Sequence, residues 1–360
     1  MGRYLHLFGT EDEFNSARGN NYKEPWVSYT EENTEVIYNK TEEEKEKEKE
    51  LQTPLTFEIQ SDGRIIWKTT STAFTRTLEY SKDNGNTWNQ VTSTKNGVAI
   101  PVVSGDIVQF RGNNTVLGSG YIDYNCFSGT TCQFAIKGNI MSLLDSTNFS
   151  TMTALQGEFT FNYLFSDCTG LTDASNLLLP ATTLARWCYF GMFCRCTSLT
   201  TVPELPATTL ADYCYLQMFD SCTSLTQVPE LPATTLGEGC YNSMFYGCSG
   251  LITVPSNYLP VTTLVNNCYQ RMFQGCTSLI QAPELPATTL TRACYQYIFQ
   301  GCTSLNYIKC LATDISATWC TGNWVQGVAS TGTFVKAASM ARWGRGSDGI
   351  PSGWTVQDAA

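Results

Sequence analysis

The sequence predicts a mixed β and α/β protein, in which a small antiparallel β-sandwich is followed by a solenoid of repeated units with a cap at each end. Two observations carry this prediction. Alternating apolar segments separated by Asp-Gly and Asn-Gly turns lie within 55–124, and units of 26–28 residues recur within 161–321. The first pattern is typical of antiparallel strands, and the second is typical of stacked repeats.

The repeats are marked by phenylalanine and cysteine at constant places. Successive phenylalanines are separated by 28, 26, 26, 28 and 26 residues, a cysteine follows each of them three residues later, and a second cysteine series keeps a similar spacing. These series predict units that bury their apolar faces against their neighbours. They are Phe165, Phe193, Phe219, Phe245, Phe273 and Phe299; Cys168, Cys196, Cys222, Cys248, Cys276 and Cys302; and Cys188, Cys214, Cys240, Cys268, Cys294 and Cys320.

Each unit is predicted to contain one strand and one helix. The strand segment at 225–231 contains Pro229, which limits the hydrogen-bonded ladder to a short piece. The segment that follows the Pro-Ala-Thr-Thr turn carries apolar residues at i, i+4, i+8 and i+12, which we interpret as the buried face of a helix. In the third unit these residues are Leu210, Cys214, Met218 and Cys222.

The repeat pattern MFxGCTSLTxxPxLPATTLxxxCYxx, with GCTSL at 275–279, resembles the BspA-like leucine-rich repeats, also called the Treponema pallidum type. The resemblance covers roughly 160–325. It implies a curved solenoid used for binding, often on bacterial surfaces or phage particles, and it does not imply catalysis. The whole arrangement resembles repeat proteins of Bacteroides-type gut bacteria and their phages. The chain departs from the family's strand pattern at Pro203, Pro229, Pro255 and Pro283.

Five segments are predicted along the chain. The segment at 55–124 is predicted to be an immunoglobulin-like sandwich, although it has no Cys-Trp-Cys signature. Strand-like stretches on either side of the repeats suggest caps that cover the first and last coils. The segments are a polar N-terminal anchor and charged spacer at 1–54, the sandwich at 55–124, the N-terminal cap at 125–160, the repeats at 161–321 and the C-terminal cap at 322–360.

The stretch at 81–88 fits the SxDxGxxW pattern of sialidase Asp boxes. A propeller would need several copies of that pattern, and the chain has one. We therefore predict a hairpin turn in which Ser81 and Asp83 bond the backbone.

The N-terminal segment has two interpretations. The Glu- and Lys-rich run at 41–50 allows an exposed helix held by Glu–Lys pairs, and the segment could serve only as a solvated spacer. Its aromatic residues suggest instead a peptide that orders when it docks on an assembly. The anchoring candidates are Tyr22, Trp26 and Tyr29.

Composition argues against several classes of function. The 22 Lys and Arg residues against 32 Asp and Glu give a net charge of −10, so electrostatic binding of nucleic acid is not expected. The single histidine, His6, argues against most histidine-based catalytic triads and metal sites. We see no apolar run long enough to span a bilayer, no secretory signal, no phosphate loop and no nucleophile elbow. No cofactor and no enzymatic activity are expected.

Sixteen cysteines could indicate disulfides or metal ligands. Their constant places within the repeats favour buried, reduced thiols that act as small apolar residues. Cys194 and Cys196 form only a CxC with no matching pair, so no metal is expected. Pairing of Cys126 with Cys132 stays open.

Positions that vary between repeats are expected to be exposed and free to specialise. Several of them carry aromatic or cationic side chains, which are typical anchors for protein or sugar partners. The ligand-binding candidates are Trp187, Phe190, Tyr213, Tyr246, Arg271, Arg292 and Tyr297.

These observations favour a non-enzymatic binding or structural protein. We expect a phage virion fibre or decoration protein, exposed on the particle, that attaches through its N-terminal segment and recognises a host-surface protein or glycan through the repeats. A homo-oligomer is expected, because several copies multiply weak contacts. One alternative is a bacterial cell-surface adhesin with leucine-rich repeats. A remote alternative is a glycan-acting enzyme, which only the single Asp box supports.

Overall fold

The computed structural model describes residues 41–340 and 343–359. The chain divides into two units, 1–50 and 51–360. The anchoring candidates Tyr22, Trp26 and Tyr29, and also His6, lie outside the described residues. The Glu- and Lys-rich run forms helix α1 (Glu42–Gln52), which its Glu–Lys pairs allow, and the exposed Lys49 ammonium lies 3.2 Å from the Glu46 carboxylate. No helix in the described part of the chain is both long and apolar enough to cross a bilayer.

The alternating segments after α1 form the predicted antiparallel strands. In this region the strands are β1 (Leu55–Ile59), β2 (Gly63–Thr69), β3 (Thr77–Ser81), β4 (Asn89–Thr92), β5 (Val98–Val102), β6 (Ile107–Gly112), β7 (Asn125–Cys126), β8 (Phe134–Asn139) and β9 (Leu171–Leu178). They form two sheets, a six-stranded sheet in the order β4-β3-β6-β1-β8-β9 and a three-stranded sheet in the order β5-β2-β7.

An aromatic core lies between these sheets. The Phe57 ring on β1 is 4.9 Å from the Phe127 ring, and the Trp67 ring on β2 is 4.8 Å from that same ring. All three side chains are fully buried. Residues from both sheets therefore meet around Phe127, which is compatible with the predicted β-sandwich.

The six-stranded sheet continues beyond residue 124. Strand β8 pairs antiparallel with β1 and parallel with β9, which belongs to the first repeat. One continuous hydrogen-bonded sheet therefore joins the sandwich to the start of the repeats, and the segment boundaries drawn above stay a prediction.

The predicted leucine-rich-repeat solenoid, with one strand and one helix in each unit, is wrong. Within 41–340 and 343–359 the one α-helix is α1, outside the repeats, and the strands form three open sheets. The segments expected to be helical consist of consecutive turns. The Pro-containing strand segments form at most isolated bridges, such as Thr201 with Asp173, because proline removes a backbone donor.

The spacing of the apolar residues explains this error. In an α-helix, each step of four residues rotates about 40° past a full turn. After three such steps the side chain no longer lies on the face where the series began. The segment keeps a strict four-residue period in which Cys214 and Tyr215, and then Met218 and Phe219, are buried. Every fourth backbone residue in the third repeat adopts a left-handed conformation; these residues are Tyr213 (φ 55°), Gln217 (φ 54°) and Ser221 (φ 58°).

The repeats stack through two alternating kinds of hydrogen bond. Met218 N–H donates to Tyr215 O within the turn at 3.2 Å, whereas Phe219 N–H donates to Met244 O of the next repeat at 2.9 Å. Equivalent rings then stack face to face, as in Phe193–Phe219 at 5.5 Å and Tyr189–Tyr215 at 5.8 Å. Alternating bonds satisfy the buried backbone, and ring stacking fills the interior.

All sixteen cysteines are free and buried. Thiols of the first series donate to the carbonyl of a phenylalanine in the preceding repeat, such as Cys222 Sγ to Phe193 O at 3.1 Å. Burial raises the pKa of the Cys222 thiol well above its ordinary value. These thiols remain protonated and pack as small apolar groups, as predicted.

The end of the chain forms the third sheet. Strands β10 (Tyr307–Cys310), β11 (Thr333–Lys336) and β12 (Thr355–Asp358) pair in parallel. β11 and β12 confirm the two strand-like stretches predicted after the repeats. Trp324, Phe334 and Trp343 pack together beneath them, with Trp324 and Trp343 stacked at 5.6 Å.

Candidate ligand-binding surface

Left-handed backbone positions form three rows along the stack of repeats. Each row takes one residue from each repeat, and its N–H groups donate to the next repeat, as Tyr213 N does to Glu238 O at 2.8 Å. Row A is Phe159, Trp187, Tyr213, Gly239, Asn267, Ala293 and Trp319; row B is Tyr163, Gly191, Gln217, Ser243, Arg271, Tyr297 and Asn323; row C is Asp167, Arg195, Ser221, Gly247, Gly275, Gly301 and Gly327.

Large side chains at these positions are conformationally costly. A left-handed conformation costs an L-residue about 1–2 kcal/mol, whereas glycine adopts it freely. Row C accordingly carries glycine in its last four repeats. Rows A and B instead keep aromatic or arginine side chains at Trp187, Tyr213, Arg271 and Tyr297. Retained local strain of this kind is common where side chains have a function.

Five rings gather at the start of row A. Phe159 and Trp187 stack at 4.7 Å, and Trp187 and Tyr213 stack at 5.6 Å. Tyr121, from the loop before β7, meets Phe159, Trp187 and Phe190 edge-on at 5.4, 5.5 and 5.7 Å. We call these five residues the aromatic cluster.

The aromatic cluster has an exposed surface and a buried base. Tyr121 is 54% exposed, and the neighbouring Ile122 is 77% exposed. Trp187 and Tyr213 are half-buried, whereas Phe190 is only 4% exposed and supports the cluster from below. Exposed aromatic carbon backed by a packed base is typical of an interaction surface.

Charged groups lie beside the Trp187 ring. The Arg186 guanidinium carbon is 4.1 Å from the ring centroid, a cation–π arrangement. Arg186 Nε is also 3.7 Å from Asp212 Oδ2. The guanidinium therefore lies over the indole at the edge of the aromatic cluster.

The Tyr213 hydroxyl is held by a polar group. It donates to Glu238 Oε1 at 3.0 Å, and Asn267 Nδ2 donates to the same oxygen at 3.0 Å. Burial, followed by the hydrogen bond and negative charge of Glu238, raises the pKa of Tyr213 to about 12. The phenol therefore stays neutral near pH 7, and its ring orientation is fixed.

The remaining candidates form a second group in later repeats. The Arg271 guanidinium carbon is 5.0 Å from the Tyr297 ring centroid, and Arg271 and Arg292 are both exposed. Tyr297 N–H donates to Gly322 O at 3.0 Å. Tyr246 is exposed in an intermediate repeat and makes no ring contact with another described aromatic residue.

The structure adds residues that were not predicted, namely Tyr121, Ile122, Phe159 and Trp319. Trp319 is 64% exposed and directly precedes Cys320. Trp187 and Tyr213 also directly precede a cysteine of the second series, so alignment on that series would have revealed Trp319. No repeat signal marks Tyr121, because it lies upstream of the repeats.

The Asp-box stretch forms the predicted hairpin turn between β3 and β4. Gly85 N donates to Ser81 Oγ at 2.8 Å, and Thr87 N donates to Asp83 Oδ1 at 2.8 Å. Hydrogen bonds from the Thr87 hydroxyl, the Thr87 backbone N–H and the Ser81 hydroxyl lower the pKa of Asp83 to about 2. Its carboxylate therefore holds the turn together.

A separate polar concavity of about 480 Å³ lies on the sandwich between β3, β4 and the loop after β6. Its Arg76 Nε donates to Val116 O at 2.8 Å, and its Glu79 pairs with Arg111 at 2.7 Å. Both charged groups are thus occupied within the protein. Across the described ranges, no group of three or more His, Cys, Asp or Glu side chains could hold a metal ion.

No protein-family model, no curated protein and no solved structure matches this sequence. Function is therefore inferred from the geometry of the described residues, among which the aromatic cluster combines exposed rings with a packed base.

Proposed function

We propose that this chain is a non-enzymatic recognition protein that binds a protein or glycan of a host surface. The observation that carries this proposal is the aromatic cluster, in which Tyr121 is exposed and Trp187 and Tyr213 are half-exposed on a packed base. Tyr and Trp side chains supply large contact areas at low entropic cost, and they dominate binding energy at many interfaces.

The stacking supports binding by a preorganised surface. The N–H groups of Trp187 and Tyr213 donate to the next repeat, and the Trp187 ring is stacked between those of Phe159 and Tyr213. Their positions are therefore set before a ligand arrives. A surface ordered in advance avoids part of the entropic cost of association.

We further propose that the protein is displayed on a phage particle as a fibre or decoration protein, attached through the segment at 1–54. The order of anchor, charged spacer, sandwich and repeats supports this placement, because it separates attachment from recognition. Display on a bacterial cell surface is the alternative. Several copies on one particle would strengthen weak individual contacts through effective concentration.

Peptide mass spectrometry on purified phage particles and on washed cell envelopes tests the placement. Peptides at structural-protein abundance in the particles are the expected result. Peptides confined to the envelope would contradict virion display and support the adhesin.

Tyr121→Ser tests recognition by the aromatic cluster, and Val103→Ser is the control. Tyr121 and Val103 are 54% and 55% exposed, but Val103 lies on the sandwich away from the cluster. We expect Tyr121→Ser to weaken binding to host cells by about 10-fold or more, the loss typical of an interface hot spot. Val103→Ser should bind like the unmodified chain. Equal binding by all three proteins would contradict the assignment.

A further inference from the structure

The second group of candidate residues, in later repeats, has unpaired charge. The repeats at 161–321 contain five cations, of which Arg186, Arg195 and Lys309 each have a carboxylate within 4 Å. Arg271 and Arg292 have none among the described residues. They lie on the surface of a chain whose net charge is −10.

Acidic side chains are scarce in the same repeats. Between Glu238 and Asp314 the chain contains a single carboxylate, that of Glu284. Glu284 Oε1 accepts from Lys309 Nζ at 3.0 Å and is thus already paired. The charges of the two arginines are therefore not neutralised by a paired carboxylate in these repeats, which favours anions over cations there.

An exposed aromatic ring and an amide lie in the repeats that follow Arg271, whose N–H donates to Gln296 O at 2.9 Å. Trp319, in row A, is 64% exposed. A methyl group placed on Gly322 would lie 3.3 Å from Trp319 Cε3 and 3.4 Å from Gln296 Nε2, so the indole and the amide flank this glycine. Gln296 Oε1 already accepts from Gln270 Nε2. The Gln296 NH₂ group therefore remains as a donor near the indole.

The backbone of this group carries a conformational cost. Arg271, Tyr297 and Trp319 are left-handed, with φ of 58°, 60° and 61°. Other repeats place Gly191 and Gly239 at the equivalent positions, which avoids the cost. Large side chains at three such positions in successive repeats are compatible with a function of these side chains.

We propose that Arg271, Arg292, Gln296 and Trp319 form a binding site for a carboxylated sugar unit of a surface polysaccharide. The inference rests on the proposed recognition function and names its ligand class. The sugar ring stacks on Trp319, the guanidinium groups pair with its carboxylate, and the Gln296 amide donates to a ring hydroxyl. Arginine suits this role because its planar fork matches a carboxylate.

The exposed Trp319 ring distinguishes this site from a general anion-binding surface. Row B places the Arg271 guanidinium over the Tyr297 ring, so one of its faces is already covered. Its edge remains free to form paired hydrogen bonds. A free inorganic anion could use the arginines but not the Trp319 ring, so the carboxylate and the ring face are tested separately.

Isothermal titration of the full chain with two carboxylated probes, a galacturonic acid trimer and sialyllactose, tests the proposal. Their methyl esters keep the shape and remove the charge, and sodium phosphate supplies an anion without a sugar ring. We expect at least one acid to bind at least 10-fold more tightly than its ester, and phosphate to bind more weakly than that acid. If neither acid binds, or if esters or phosphate bind equally well, the proposal is overturned.

Variants separate the two parts of the site. Arg271→Gln should weaken acid binding at least 10-fold without changing ester binding, whereas Trp319→Asn should weaken both. Arg64→Gln removes an exposed positive charge on β2 and should change neither. Asparagine tolerates the left-handed backbone, so Trp319→Asn should fold, which circular dichroism checks. Acid binding unaffected by Arg271→Gln would overturn the charge assignment.

Failure of the carboxylate site and failure of the proposed recognition by the aromatic cluster give different patterns of cell and acid binding among the variants. If host-cell binding is lost in Tyr121→Ser but is unaltered in Arg271→Gln and Trp319→Asn, recognition by the aromatic cluster stands and the carboxylate site falls. If acid binding is lost in the two later variants while Tyr121→Ser binds cells normally, the carboxylate site stands and the cluster is not the recognition surface.

Discussion

Substitution of Gly239 measures how tightly Tyr213 is stacked against the next repeat. Gly239 is left-handed (φ +57°), and a Cβ built on it lies 2.3 Å from Tyr213 Cε1 and 2.5 Å from Cδ1. Gly239→Ala therefore forces the ring away from its position and from Glu238. Gly301→Ala is the matched control, because Gly301 is also left-handed (φ +76°) but the nearest atom to its Cβ is 3.7 Å away.

The two variants share one energetic term and differ in another. Both place alanine in a left-handed conformation at about 1–2 kcal/mol, partly offset by about 0.4–1 kcal/mol from a less flexible unfolded chain. Gly301→Ala should thus reduce the free energy of unfolding by about 1 kcal/mol. Gly239→Ala adds about 1–3 kcal/mol for overpacking against the ring, which gives about 2–4 kcal/mol.

Urea unfolding followed by tryptophan fluorescence measures both values. A Tyr213→Ala background provides a further check, since there the collision is gone and Gly239→Ala should cost no more than Gly301→Ala. Equal destabilisation by the two glycine variants in the unmodified chain would refute the stacking argument.

Three further predictions follow from the described chemistry. The native protein should leave its sixteen cysteines unmodified by iodoacetamide over minutes, whereas all should react in urea, as mass spectrometry would show, because each is buried. Stability should fall above pH ~10, since the pKa of Tyr213 rises to about 12 and that of Tyr215 well above its ordinary value, so the folded chain retains protons that the unfolded chain loses. The buried Tyr215 should therefore ionise only together with loss of circular dichroism, and an NMR signal of ionised Tyr215 in the folded chain would contradict this. The Asp83 carboxyl should titrate near 2 by NMR, and because its pKa is lowered on folding, its stabilising effect should disappear as the pH falls from about 4 to 2. Asp83→Asn should remove that pH dependence, and an Asp83 pKa near 3.8 would contradict the turn geometry.

The sandwich strands were predictable because their evidence is local. Alternation in segments such as Val98, Ile100 and Val102, bounded by turn residues, specifies which side of a strand is buried. The pairing of β8 with both β1 and β9 was not predictable in the same way. It joins residues far apart in the chain, and no local pattern encodes a partner at that distance.

The repeat conformation was predicted wrongly from a correct pattern. Spacings of four residues suit both a short helix and a series of four-residue turns. Leu210, Cys214, Met218 and Cys222 repeat that spacing three times, and a series of this length cannot stay on one face of an α-helix. Glycines at 247, 275 and 301, each one residue before a cysteine, also indicate a left-handed position. These two signals in the sequence favoured turns.

The assumption that constant positions are buried holds only in part. The recurring Phe and Cys residues are buried. Thr234 and Thr235, from the constant Thr-Thr pair, are exposed, and both N–H groups donate to Thr208 O of the preceding repeat. Their constancy therefore accompanies a backbone arrangement at the surface, not packing in the core.

The sequence by itself determined the repeat register and the interior of the stack. Equivalent residues at equal intervals stack on one another. The Phe, Tyr and Cys series therefore lie in the interior of the stack once the repeats are aligned. Only the tertiary structure decided the binding surface. Tyr121 reaches Trp187 from outside the repeats, and Arg271 reaches Tyr297 across a repeat boundary. Such contacts depend on where each side chain points after the backbone has turned left-handed, and that direction is set by stacking between repeats, not by neighbours along the chain.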